Sequence, residues 1–266
     1  MKGGDTAALT RLAPFGMEAT GIDAGSASEA AVEAMREALA NEGVLVLRDQ
    51  AMDDDAFLAF LQRFGPMTFT AGEAPLPNRP ELNFVTNEGR TTPPRSVFHT
   101  DTSYVSEPPA YTALRAVLIP ERGGETVFSN QFHAYETLDA ALRERLAGRR
   151  VLHEVTGVTP GEGAETRSWH PLFRRHPVSG RTALFLSTPE RCTAIEGMQE
   201  AEGRAVIAEL FAHSTREDVL YRHAWRPGDV VVWDDRCTLH KADHSGVSGA
   251  RRLHRGMVAG ERPLAA

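Results

Sequence analysis

The sequence is poor in cysteine, lysine and long apolar runs, and each shortage argues against a class of protein. Cys192 and Cys237 are its only cysteines, too few for a disulfide framework or a thiolate metal centre. Cys237 stands three residues before His240 and so has to be weighed as a ligand, although a small buried residue on a strand is the simpler reading. Lysine occurs only as Lys2 and Lys241, so 27 of the 29 basic residues are arginine. That bias fits the composition of a GC-rich genome better than any function. The formal charge is −7 and no basic run occurs, which argues against a nucleic-acid surface. No basic-then-apolar leader opens the chain, and no apolar stretch approaches the roughly 20 residues of a membrane span. The expectation is a soluble, cytoplasmic protein that engages neither nucleic acid nor membrane, with homo-oligomerisation left open.

What is present suits one domain over residues 1–266, because 41% hydrophobic and 24% charged residues are ordinary globular values. Residues 1–10 are expected as a flexible tail. Val32, Met35 and Leu39 recur at helical spacing up to Asn41-Glu42-Gly43. Residues 44–47 read as a buried strand. Asp53-Asp54-Asp55 opens a second helix through Phe57, Leu58, Leu61 and Phe64, stopped by Gly65-Pro66. Residues 65–96, with six prolines, and the Gly-rich residues 156–169 read as irregular, and segments this long in a compact domain are expected to be active-site loops. Strands are expected at 111–119, 125–129, 182–186 and 230–233, and helices at 134–146 and 199–212. Turns at His176-Pro-Val-Ser-Gly180 and Pro227-Gly228-Asp229 punctuate them. Short strands with a few helices point to a mixed α/β, mainly β fold: a double-stranded β-helix (jelly roll) with buttressing helices and a site in its mouth.

His99-Thr100-Asp101 carries the most chemical information. Residues two apart in an extended segment point to the same side, so His99 and Asp101 can grip one ion. Ten His and thirteen Asp give about 0.5 such triplets by chance, so the triplet gains weight only from its surroundings. Near the other end stands His240, followed eleven residues later by Arg251. Two imidazoles and one carboxylate on one face of a metal are the ligand set of non-haem Fe(II) oxygenases, and they leave adjacent positions open. Arg251 and Arg255 carry planar forks suited to a carboxylate. Gly123-Gly124-Glu125-Thr126 puts a hydroxyl at a strand start, where it could bond the same group.

The other histidines are His133, His153, His170, His176, His213, His223, His244 and His254. They lack a paired ligand spacing and are expected to be surface or hydrogen-bonded structural residues. His244 stands four after His240, but the polar Ser245-Gly-Val-Ser-Gly249 tract argues against a helix there. Trp169 is expected to pack under a loop in preference to lining a pocket.

Taken together, these residues resemble the taurine dioxygenase family, which includes the phenoxyacetate-herbicide dioxygenases. The motifs run in order from about Leu12 to Pro263: Val44-Leu-Val-Leu-Arg-Asp-Gln50, Phe98-His-Thr-Asp101, Gly123-Gly-Glu-Thr126, His176-Pro-Val-Ser-Gly-Arg181, Pro227-Gly-Asp229, Trp233-Asp-Asp-Arg236, His240, Arg251-Arg-Leu-His-Arg255 and Gly260-Glu-Arg-Pro263. The resemblance implies a jelly roll that binds Fe(II) through His99, Asp101 and His240, with 2-oxoglutarate and O₂ as co-substrates. It implies that Arg251 and Thr126 bind the distal carboxylate of 2-oxoglutarate and that Arg255 lies at the inner edge of the substrate pocket. Halogenating relatives lack the carboxylate found here as Asp101, so the resemblance favours hydroxylation, with release of succinate and CO₂; desaturation or further oxidation after C–H abstraction needs no different ligands and stays open. Sulfonate-oxidising members have a His and a Tyr near Thr70 and Glu73, and an Asn where Arg95 stands, which argues against taurine. Glu73, Arg95, Arg191 and Arg255, with Thr70, suggest a small polar substrate, carboxylate-bearing or zwitterionic.

Two rivals stay open on the residues alone. A His₂-carboxylate set also binds Zn²⁺ in hydrolytic or isomerising enzymes, and a jelly roll can serve as a non-catalytic binding module. Arg251 with Thr126 weighs against both, since neither needs a dicarboxylate anchor.

Overall fold

The protein's structure, a computed structural model, describes residues 8–89 and 96–266. Most of the expected tail lies outside that range, but its last residues do not fray. β1 (Ala8–Arg11) pairs antiparallel with β2 (Met17–Thr20). α1 (Glu29–Glu42) starts where the Ser28 hydroxyl accepts from the Ala31 amide. It ends at Gly43, which adopts φ 75°; a Cβ there would lie 2.8 Å from Thr238 Oγ1, so position and conformation both call for glycine. β3 (Val44–Leu47) follows, then α2 (Asp54–Gln62), capped by Asp53. Phe64 lies beyond this helix but still packs edge-on against Phe60.

The segment 65–96 is less irregular than its prolines suggest. It contains β4 (Met67–Thr68), β5 (Pro75–Leu76) and the eight-residue β6 (Arg79–Thr86). Pro80 is tolerated because β6 pairs with its long neighbour only through residues 82–86, leaving the prolyl nitrogen outside that ladder. β7 (Tyr111–Leu118) and β8 (Thr126–Asn130) match expectation. The helix expected over 134–146 is two helices, α3 (Gln131–Glu136) and α4 (Ala140–Leu146). The Asp139 carboxylate accepts from the Ala141 and Leu142 amides and starts a new helix where the apolar period runs on unbroken.

β9 (Arg150–Glu154) and β10 (Arg167–Pro171) form a hairpin, so the irregular stretch after 156 ends three residues sooner than expected. β11 (Phe173–Arg175), β12 (Thr182–Leu184), β13 (Cys192–Ile195) and α5 (Glu200–Ser214) come next. β14 (Leu220–His223), β15 (Val230–Asp234), β16 (Thr238–Ala242), β17 (Arg252–Val258) and β18 (Leu264–Ala265) complete the chain.

The major sheet has the order β1-β2-β3-β15-β7-β17-β6-β5, with β4 also on β17, and a minor sheet has the order β14-β8-β16. Period-two alternation assigns each face. Val44, Val46, Leu114, Val231 and Trp233 meet Phe128 and Tyr221 of the minor sheet in the inter-sheet core. Their neighbours Leu45, Leu47, Ala113, Val230 and Val232 turn outward under α1 and α2, against Met35, Leu39, Phe57 and Phe60. Each such side chain contributes about 1.5–3 kcal/mol, so a one-residue slip of a central strand would forfeit both cores at once. The result is the expected mainly-β jelly roll with helical buttresses. Among the described residues, no helix is long and apolar enough to cross a membrane.

Candidate active site

Backbone pairing brings His99 and His240 together across 141 residues of chain. β16 pairs with β8, and His99 adds one bridge beyond β16, directly opposite His240. The two residues exchange both amide-to-carbonyl bonds at 3.0 Å. Such a pair projects its side chains from the same face, and the ring centroids are 4.3 Å apart. Asp101 falls on that face too, with Oδ1 3.6 Å from His99 Nε2 and Oδ2 3.7 Å from His240 Nε2. These separations are too long for hydrogen bonds but suit atoms that share an ion; all three ligand atoms lie within 4.8 Å of one another.

The donors fit a divalent metal. Asp101 is buried, and its Oδ2 has no hydrogen-bond partner, an expense for a carboxylate unless a cation satisfies it. His99 Nδ1 lies 2.9 Å from the Val97 carbonyl, which fixes the tautomer that leaves Nε2 free to ligate. Burial and the neighbouring His99 push His240 down to about 3, so its imidazole is neutral. Burial opposes the Asp101 charge, but His240, Arg255 and His99 together hold its carboxyl well below the usual range. Because His240 is itself neutral, the Arg255 guanidinium, with Nη1 3.5 Å from Asp101 Oδ1, is the permanent part of that field. Thr102, next in sequence, has φ 43°, a costly value for a β-branched residue. Its hydroxyl bonds Thr70 at 2.8 Å, so Thr70 reaches the site through the turn behind Asp101.

Arg251 and Thr126 lie at the starts of β17 and β8. Arg251 is 1% exposed; Nε donates to the Gly124 carbonyl at 2.9 Å and Nη2 to Thr126 Oγ1 at 3.4 Å. Nη1 is buried with no partner, and burial pushes the guanidinium down to about 10. Thr126 Oγ1 also accepts from Trp225 Nε1, which leaves its proton to point elsewhere.

A cavity of about 190 Å³ beside His99 and Asp101 brings Thr70, Glu73, Arg191 and Arg255 together. Arg95 lies outside the described residues. Glu73 is not free: it takes bonds from Arg255 Nη2 and Asn83 Nδ2, and burial raises its pKa despite Arg255. Thr156, Gly157 and Val158 of the expected 156–169 loop line the cavity too, while Tyr104 and Asn83 also belong here and were not singled out in the sequence. Tyr104, three residues after Asp101, was the one with a usable offset. Trp169 is elsewhere, half-exposed on β10 beneath the Arg150 guanidinium. Cys237 lies not on a strand but in the turn between β15 and β16, in a second cluster with His176 and Asp234. There the Asp234 carboxylate is already engaged by Arg236 and His176, so that cluster reads as structural. His153, His170 and His223 are buried and hydrogen-bonded, as expected.

The profile of the "Taurine catabolism dioxygenase TauD, TfdA family" matches residues 6–257. The chain belongs to this family. It is accordingly an Fe(II)- and 2-oxoglutarate-dependent dioxygenase that consumes O₂. It is 31% identical to the alpha-ketoglutarate-dependent 2,4-dichlorophenoxyacetate dioxygenase of Burkholderia sp. (strain RASC), over 90% of this chain and 89% of the relative. It is 34% identical to pentalenolactone F synthase of Streptomyces arenae, over 81% and 82%. Among solved structures, a taurine dioxygenase from Burkholderia xenovorans superposes with a TM-score of 0.85 at 30% identity, covering 97% and 93% of the two chains. AAD-2, solved in complex with Mn(II) and N-oxalylglycine, also gives 0.85, at 26% identity over 97% and 99%.

Proposed function

We propose that His99, Asp101 and His240 hold the Fe(II), that Arg251 and Thr126 hold the distal carboxylate of 2-oxoglutarate, and that the substrate is a small polar molecule bearing a carboxylate. Bound Fe(II) supplies the redox chemistry that couples decarboxylation of 2-oxoglutarate to oxidation of a substrate C–H bond by O₂. The chain's own residues position and exclude. The reciprocal His99–His240 backbone pair fixes two imidazoles on one face, and Thr102 turns Asp101 in beside them. Arg251 offers a buried, uncompensated cation, which neither a hydrolytic zinc site nor a passive binding module requires. That buried guanidinium, without an ion pair among the described residues, is the observation that carries the reading.

The substrate class rests on charge. Two guanidinium groups, Arg191 and Arg255, line the cavity beside Asp101, and Glu73 engages only Arg255, so the lining keeps a net positive group in Arg191. Relatives are named for 2,4-dichlorophenoxyacetate and (S)-phenoxypropionate, both carboxylates. Residues 65–96 and 156–169 are proposed as the mouth: Thr70 and Glu73 come from one and Thr156 from the other, and Gly72 approaches the Thr159 carbonyl so closely that a Cβ would lie 2.6 Å from it. A panel of small acids and amino acids, assayed for substrate-dependent succinate with Fe(II), 2-oxoglutarate and O₂, tests this. Stimulation by neutral compounds alone would overturn the substrate class; no succinate with any acid, in an enzyme shown to bind 2-oxoglutarate, would do the same.

A further inference from the structure

The two guanidinium groups beside the metal ligands differ in how fully they are already used. Every nitrogen of Arg255 has a partner: Nη2 bonds Glu73, Nε donates to Asn83 Oδ1 at 3.1 Å, and Nη1 faces Asp101 Oδ1 at 3.5 Å. Its charge is offset by two carboxylates. Arg191 is the reverse. It is 8% exposed, and among the described residues it forms no ion pair. Nη1 donates to the Thr100 carbonyl at 2.8 Å, Nη2 reaches the Thr156 carbonyl at 3.5 Å, and Nε is buried without a partner. Its guanidinium stacks 5.3 Å from the ring of Tyr104, a residue 2% exposed whose hydroxyl is also buried without a partner. Arg191 and Tyr104 both line the cavity, each with a buried donor that has no partner among the described residues, and the Arg191 charge feels the Asp101 carboxylate without forming an ion pair with it; a cation and a hydroxyl so placed have the make-up of an anion cradle.

We infer that Arg191 with Tyr104 is the subsite that binds the substrate's carboxylate, and that the Glu73–Arg255 pair is a self-neutralised wall that admits no second anionic group there. The inference rests on the reading of the site given above and adds which residues set the substrate's charge. Arg191 comes from the loop before β13 and holds the Thr100 carbonyl between His99 and Asp101. A carboxylate seated on it is thereby tied to the ligand segment and delivered beside the metal. Glu73 does the opposite for Arg255, occupying the fork that a second carboxylate or a sulfonate would need.

Calorimetric titration of the full chain loaded with Mn(II) and N-oxalylglycine tests this without turnover. The probes are phenoxyacetate and phenylacetate, each paired with its neutral amide, and the dicarboxylate phenylsuccinate. The wild type is expected to prefer each acid over its amide by about tenfold or more. Arg191→Gln should erase that preference, Tyr104→Phe should weaken acid binding about three- to tenfold, and Arg255→Gln should change it less than threefold. Glu73→Gln should tighten phenylsuccinate about tenfold by freeing the Arg255 charge. No acid preference in the wild type, or a preference abolished by Arg255→Gln and kept in Tyr104→Phe and Arg191→Gln, would overturn the inference. Mn(II)·N-oxalylglycine affinity, read first in the same titration, separates the two levels. Its absence in the wild type breaks the metal and co-substrate assignment, whereas an intact complex without acid preference breaks this inference alone. Unchanged affinity in Arg191→Gln also shows that the ligand segment has kept its shape.

Discussion

Replacing Arg251 with methionine should make the free protein more stable and the enzyme unable to hold its co-substrate. Arg251 is 1% exposed and, among the described residues, its side chain meets only neutral acceptors, the Gly124 carbonyl and Thr126 Oγ1. Burial lowers its pKa from the ordinary 12.5 to about 10, which corresponds to about 3 kcal/mol against the charged form. An unbranched apolar side chain removes that penalty but loses two hydrogen bonds, so the ligand-free chain should gain about 1–2 kcal/mol. For a chain of this size that raises Tm by about 2–8 °C. Binding of 2-oxoglutarate should weaken by about 2–4 kcal/mol, since its distal carboxylate loses a charge-assisted partner, or about 30- to 1,000-fold. The pH dependence has a definite sign. The unfolded chain keeps the proton between about pH 10 and 12.5 where the folded chain has lost it, so the penalty on folding is complete below 10 and fades above it. Binding of 2-oxoglutarate needs the cation and should therefore fall as pH passes about 10. Urea unfolding of the apoprotein and calorimetry with Mn(II) and 2-oxoglutarate read both effects. A variant that is less stable yet binds 2-oxoglutarate normally would show that Arg251 is a structural residue and another group the anchor.

Three further outcomes are expected. His99→Ala, Asp101→Ala and His240→Ala should each lose Fe(II) binding while keeping the wild-type circular dichroism, because each removes one of three ligand atoms and no core side chain; unchanged anaerobic Fe(II)·2-oxoglutarate absorbance in all three would contradict the assignment. Asp234→Asn should destabilise by about 3–5 kcal/mol, since it strips the buried Arg236 of its nearer counter-ion and leaves only the half-exposed Glu261 at 3.6 Å; a loss below about 1 kcal/mol in urea unfolding would mean the pair is not what holds that turn. Backbone hydrogen exchange in residues 66–75 and 156–164 should slow when a turnover-competent acid joins the metal and 2-oxoglutarate, and equal protection with and without it would reduce both segments to structural connections.

The features legible in the sequence are those set by local chemistry. Apolar spacing located α1, α2 and α5, because residues such as Val32, Met35 and Leu39 or Phe57 and Leu61 can only share a face in a helix, and the acidic start at Asp53 helped to place α2. Unbroken apolar runs located β3 and β15, which are buried on both faces. Features that depend on distant partners were not legible. β6 hides in a proline-rich tract because its identity comes from pairing with β17, and neither Leu82 nor Asn83 shows that partner locally. The break between α3 and α4 depends on whether Asp139 caps or points to solvent, which periodicity does not record. At the site, His99, Asp101 and His240 could be proposed from residue type and offset. The bond between Glu73 and Arg255, 182 residues away, has no local signature, whereas the place of Glu73 in the cavity agrees with the expectation.

The register of one strand pair accounts for the spacing of the whole site. On the β8–β16 ladder His240 lies opposite Phe128 and Ala242 opposite Thr126, so Thr126 is the diagonal neighbour of His240 on the same face. Diagonal neighbours in an antiparallel pair sit about 7–8 Å apart at Cα and somewhat less at their side chains. The chain of 2-oxoglutarate, from keto carbon to distal carboxylate, is about 4–5 Å long in single bonds of roughly 1.5 Å, a length that would suit this diagonal if His240 and Thr126 have the roles proposed for them. Arg251 enters the same corner from the residue before β17 and is seated by Gly124, whose φ is 76° and where a Cβ would lie 2.9 Å from Arg251 Cδ. A shift of one residue between β8 and β16 would turn Thr126 and His240 to opposite faces and also break the His99 bridge. Metal ligand and co-substrate anchor are therefore not two sites that happen to adjoin. Under the proposed roles both are set by a single pairing, and the inter-sheet core that holds Phe128 against Trp233 would hold both.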